Sequence, residues 1–118
     1  MVKVSASTKV VGLIGNPVTG SLSPRLHNLA IRRLDLDYLY LAFSVEEGAV
    51  QDAIYGAREL GFRGLNVTVP HKKTVIKHVD GLSRAARITG AVNTVTFTEE
   101  NEIEGDNTDW LGFIQSLE

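Results

Sequence analysis

Seven residues of this 118-residue chain carry side chains suited to holding and protonating a small polyhydroxylated carboxylate: Ser21, Ser23, Asn66, Thr68, Lys72, Asn93 and Asp109. Each stands where a strand should end or a helix begin. Two serines near a helix N-terminus suit a carboxylate, which also gains from the unsatisfied N–H groups there. Lys72 and Asp109 supply a cation and an anion able to share a proton with a ligand hydroxyl, which is what general acid/base work at an alcohol requires. At about 4 Å such a pair interacts by roughly 4 kcal/mol in a partly buried site of effective dielectric about 20. On the surface it is worth about a quarter of that or less. Each residue also has a purely structural reading: Ser23 as a helix cap, Asn93 as turn support, Asp109 as an N-cap.

The stretch Asn66-Val67-Thr68-Val69-Pro70-His71-Lys72 holds three of the seven. Leu65, Val67 and Val69 give it β propensity, and Pro70 stops ladder pairing at the end of the run. Thr68 and Lys72 therefore fall at a strand's C-terminal end, where open α/β sheets bind ligands. Asn66-Val67-Thr68 also spells a glycosylation sequon, set aside because nothing else in the chain suggests secretion.

Other chemistries find no support. There is no GxGxxG, and Gly12, Gly15 and Gly20 lack the Lys and Ser/Thr of a phosphate loop, so no cofactor-binding residue is expected in this chain. Absent cysteines exclude thiolate nucleophiles and disulfides, and His27, His71 and His78 fall on three separate elements, so no metal site is expected. Ser21, His27 and Asp106 would make a triad only on paper, because no nucleophile elbow accompanies them. A net charge of −2, from 12 basic and 14 acidic residues, gives no footprint for nucleic acid or an anionic membrane. No apolar run has the length of a membrane helix, and a cytoplasmic location is expected.

The elements that must position these groups read as β-α-β-α followed by more strands. Val10 to Ile14 is a strand buried on both faces, ended by Gly15-Asn16-Pro17. Ser23 as N-cap and Pro24 at the first helical position start a helix whose apolar face is Leu26, Leu29, Ala30 and Leu34. Tyr38 to Ser44 is a second strand. Ser44 and Glu47 spell a capping box for a helix carrying Val50, Ala53, Ile54, Ala57 and Leu60, closed by Gly61. The third strand covers Gly64 to Val69, with short helices over Lys72 to Val79 and Ser83 to Thr89, the latter stopped by Gly90. Asn93 to Thr98 and Glu102 to Gly105 form a hairpin, giving one antiparallel member in an otherwise parallel sheet. Asp106 to Asp109 then caps a helix bearing Leu111, Phe113, Ile114 and Leu117. The fold class is α/β, a three-layer α/β/α sandwich on a mostly parallel mixed sheet, in a single domain. The last helix lacks a glycine cap or proline stop, so the chain is expected to be a cut one.

The strings Gly15-Asn16-Pro17 with Ser21-Leu22-Ser23-Pro24, Asn66 to Lys72, Gly90-Ala91-Val92-Asn93-Thr94 and Gly105-Asp106-Asn107-Thr108-Asp109 resemble the N-terminal, substrate-binding domain of the shikimate dehydrogenase family. The resemblance spans nearly the whole chain from Val10. It implies an NADP-dependent oxidoreductase of aromatic amino-acid biosynthesis, interconverting 3-dehydroshikimate and shikimate. It implies that Ser21 and Ser23 hold the ring carboxylate and that Asn66, Thr68, Asn93 and Asp109 bind ring hydroxyls. Lys72 would be the catalytic lysine, paired with Asp109. Family members often form homodimers through this domain. Trp110 departs from the Gly or Ala common among relatives at that place. The NADP-binding domain and a returning C-terminal helix, expected to follow, are not in residues 1–118, so this polypeptide alone is expected to be inactive, to bind no cofactor, and to hold shikimate weakly. Two alternatives stand beside this: a quinate/shikimate dehydrogenase domain, and a free-standing, non-catalytic module that binds a cyclic polyol acid.

Overall fold

The apolar run around Leu13 is an interior strand, paired on both edges. In the computed structural model, which describes residues 3–109, β1 (Lys9–Gly15) lies between β2 (Tyr38–Ser44) and β3 (Gly64–Val67), parallel to both. The remaining strands are β4 (Gly81–Leu82), β5 (Thr94–Phe97) and β6 (Ile103–Asp106), and the six lie in the order β2-β1-β3-β5-β6-β4. Only β5 opposes the rest. It runs antiparallel to β3 and β6, and β4 lies parallel to β6. The hairpin and the one antiparallel member follow the sequence reading, whereas the two-residue β4 was not anticipated.

Alternation along the strands builds two cores. On one face Ile14, Leu65, Val67, Val95, Phe97 and Ile103 pack against Val50, Ile54 and Ala57 of α2 (Val50–Glu59), Val75 of a 3₁₀ turn (Thr74–His78) and Ala86 of α3 (Arg84–Thr89). On the other, Leu13, Tyr40 and Val18 meet Ile31 of α1 (Ser23–Arg33). Helices on both faces make the three layers. Among the described residues the second face is covered over β1 and β2, and Thr96, Glu104 and Asp106 are exposed beyond it.

Several local expectations are corrected. Ser23 is not the cap of α1: it is the first helical residue, the preceding Leu22 is already αR, and no side chain caps the helix. The Ser21 hydroxyl accepts the Ser23 N–H at 3.1 Å instead. Leu26, Leu29 and Leu34 are 63%, 42% and 68% exposed, and Ala30 is exposed too, so the expected apolar face points outward. Contact with the sheet is made by His27, Asn28 and Ile31, because a polar pairing with Tyr40 fixes the roll of the helix. The Ser44–Glu47 capping box does not form. Ser44 is used as the last β2 residue opposite Gly15, and a 3₁₀ turn, Glu47–Ala49, leads into α2. β3 stops at Val67 rather than Val69, since the Thr68 carbonyl turns to accept the His71 N–H at 3.0 Å. The helix expected over Lys72 to Val79 is the short 3₁₀ turn. Gly61 and Gly90 close α2 and α3 with φ of 81° and 68°, and Ser83 caps α3 through the Ala86 N–H. Trp110 and the final helix with Leu111, Phe113, Ile114 and Leu117 lie outside the described residues.

Candidate functional site

Strand direction brings distant residues to one rim. The C-terminal ends of β1, β3 and β6 lie on the same side of the sheet, and because β5 runs the other way, its N-terminal end joins them. Ser21 and Ser23 follow β1, Thr68 and Lys72 follow β3, Asn93 precedes β5 and Asp109 follows β6; Asn66 is in β3 itself. The backbone stitches these loops together. Thr68 N–H donates to the Ile14 carbonyl at 2.9 Å, Val67 N–H to Asn93 at 2.8 Å, and Val92 N–H to Lys72 at 2.8 Å. At Gly15 a Cβ would lie 2.4 Å from Thr68 Cγ2, so only glycine lets the β1 loop close against β3.

Lys72 Nζ donates to Asp109 Oδ2 at 3.1 Å. Their side chains are 34% and 64% exposed, so solvent weakens the pair, and its own stabilising contribution is about 1 kcal/mol or less. What holds the geometry is behind it. His71 is fully buried and its Nε2 donates to the Val45 carbonyl, anchoring the loop that carries Lys72. Asn107, 6% exposed, accepts the Asp109 N–H on Oδ1 at 2.9 Å while its Nδ2 donates to Thr89 Oγ1 at 3.0 Å and the Ala91 carbonyl at 3.1 Å. The end of α3 thereby fixes the start of the segment bearing Asp109.

Asn93 is engaged with its neighbours: Oδ1 accepts from Thr108 N–H at 3.0 Å and Thr94 Oγ1 at 2.9 Å, and Nδ2 donates to Thr108 Oγ1 at 3.0 Å. One Nδ2 proton remains for a ligand. The side chain of Asn66 faces α1 across the sheet, where Tyr40 Oη donates to its Oδ1 at 2.8 Å. Burial pushes the Tyr40 phenol up to about 12, with a hydrogen bond to Ser23 pulling the other way. Asn66, Tyr40, His27 and Thr94 line a cleft of about 300 Å³. A larger cavity of about 470 Å³, between Lys3 to Ser5 and the end of α1, lies at the opposite end of the strands and touches none of the seven residues.

Sequence reasoning missed Asn107, Tyr40 and His71 as supports. Asn107 sits inside a capping string and was credited only with capping; Tyr40 looks like any aromatic in an apolar strand. The paper triad is absent, because His27 stacks on Tyr40 at 4.1 Å with Nδ1 on the Ser23 carbonyl, and Asp106 accepts from Ser83. A dinucleotide does not fit these residues: the turn after β1 is filled by Thr68 and Val18 against Gly15, leaving no backbone cradle for a pyrophosphate.

Residues 13–95 match the family model described as the shikimate dehydrogenase substrate binding domain. Over 116 residues the chain is 53% identical to the shikimate dehydrogenase (NADP(+)) of Methanopyrus kandleri, covering 98% of this chain and 40% of that protein. Its fold superposes, with a TM-score of 0.92 and 41% identity, on shikimate 5-dehydrogenase from Listeria monocytogenes crystallised with shikimate and NAD, covering 98% of this chain and 39% of that one. A 5-ketofructose reductase from Gluconobacter gives a TM-score of 0.89 at 30% identity, covering 96% and 40%. The chain thus spans about 40% of the length of such relatives. The likeness takes in the whole sheet rather than one loop of it, and the chain belongs to the shikimate dehydrogenase substrate-binding domain family.

Proposed function

We propose that this domain binds shikimate and 3-dehydroshikimate on the rim at the strand ends, as the substrate-binding part of an NADP-dependent shikimate dehydrogenase of aromatic amino-acid biosynthesis. The observation that carries the reading is the 3.1 Å contact of Lys72 and Asp109 on the rim that also gathers Asn66, Thr68 and Asn93. Ser21 and Ser23, at the start of α1, lie where the ring carboxylate is received. Asn66, Thr68 and Asn93 offer amide and hydroxyl groups to ring oxygens. Lys72, oriented by Asp109, moves a proton to or from the ring oxygen that alternates between hydroxyl and carbonyl. The nicotinamide that exchanges the hydride is not held by these residues, so only the proton step is assigned to this chain, and the chain by itself is inactive.

The test is turnover of shikimate by the full-length polypeptide that carries this domain, followed by NADP⁺ reduction. Lys72→Ala should lower kcat by roughly a hundredfold or more while KM changes less, the range for a lost acid/base group. Near-normal turnover removes Lys72 from the mechanism. The 5-ketofructose reductase at 30% identity supports a second reading, in which the same rim serves another polyol. Parallel assays with quinate and 5-ketofructose, using NADP and NAD, separate the two.

A further inference from the structure

Tyr40 touches Asn66, one of the residues assigned to the ligand, yet it has no role in the reading above. Its side chain is 2% exposed and held on three sides. Asn28 clamps its backbone, donating from Nδ2 to the Tyr40 carbonyl at 2.8 Å and accepting the Tyr40 N–H at 2.9 Å. His27 stacks on its ring with 10° between planes at 4.1 Å. A buried phenol O–H needs an acceptor, and here that acceptor is Asn66 Oδ1 at 2.8 Å. The proton runs from Tyr40 to Asn66.

We propose that Tyr40 is a positioning residue that sets the polarity of Asn66: with Oδ1 held by the rigid phenol, Asn66 turns its Nδ2 donors toward the cleft. The ligand atom opposite Asn66 is then recognised as a hydrogen-bond acceptor, a hydroxyl or carbonyl oxygen offering a lone pair. The opposite order, Asn66 to Tyr40, would turn Oδ1 toward the ligand and reward a donor there. This inference rests on the proposal that the rim is the shikimate site.

In the full-length polypeptide, Tyr40→Phe should raise the shikimate KM about tenfold with kcat within about threefold, since one orienting hydrogen bond is lost and the chemistry is untouched. Asn66→Asp, which turns the donor end into an acceptor, should raise KM at least as much. A KM within twofold of wild type in Tyr40→Phe, or retained binding in Asn66→Asp, overturns the proposal. A protein that turns over no shikimate defeats the assigned substrate instead. The inference is then read without ligand, from the Asn66 side-chain amide resonances of asparagine-labelled protein: Tyr40→Phe should shift them and broaden them as the amide begins to flip, and unmoved resonances overturn it.

Discussion

Lys72 and Asp109 are 37 positions apart along the chain and 3.1 Å apart in space, and the half-exposed setting decides what that contact can do. In the proposed function it orients a proton carrier more than it stabilises the fold. Lys72→Ala should therefore leave the melting temperature nearly unchanged while turnover falls, a split visible by measuring both on one preparation. Tyr40 makes the contrary case, a group whose protonation matters to folding. Its phenol is held up to about 12, against roughly 10 in the unfolded chain. Raised in the folded state, it contributes stability that is complete below pH 10 or so and is lost as pH rises toward 12. Thermal melts between pH 9 and 12 should show a decline on the order of 2 kcal/mol that Tyr40→Phe removes. A decline of the same size in the variant would contradict this.

At the scale of elements, what was legible in the sequence was what one strand or one turn dictates on its own. The alternation of Leu65 and Val67 with Asn66, the glycines at 61 and 90, and the hairpin from Thr94 to Asp106 each follow from local periodicity or backbone need. The gathering of Asn93 with Thr68 follows only from β5 running against β3. The errors share a cause. Leu26, Leu29 and Leu34 outvote His27 and Asn28 in any hydrophobic count, but the Asn28 amide completes the outer hydrogen bonds of β2 at Tyr40 and so sets which side of α1 meets the sheet. Ser44 and Glu47 have capping-box spacing, yet β2 claims Ser44 first. Asn107 could not be singled out because its partners, Thr89 and Ala91, belong to another element. Cutting that link tests the element-level account. Asn107→Ala should destabilise the protein by about 1–3 kcal/mol, the cost of stranding buried partners, and should also lower turnover by releasing the segment that carries Asp109. Loss of stability with turnover unaffected would show that the latch supports the fold alone.

Among the described residues, the larger core lies on one face of the sheet and a smaller one on the other. The candidate residues gathered at its strand ends, all among the described residues, are half-buried or exposed. An open rim screens charges well, so this chain should hold its ligand far more weakly than a closed site would, with dissociation in the millimolar range, about −4 kcal/mol. The most direct measurement is a titration of shikimate into the isotopically labelled protein, following backbone amides. The account predicts saturable shifts at Ser21, Asn66, Thr68, Asn93 and Asp109 that disappear in Lys72→Ala or weaken strongly. Resonances that stay still at high millimolar shikimate, or shifts confined to Lys3, Arg32 and Asp35 at the far end of the strands, would contradict it.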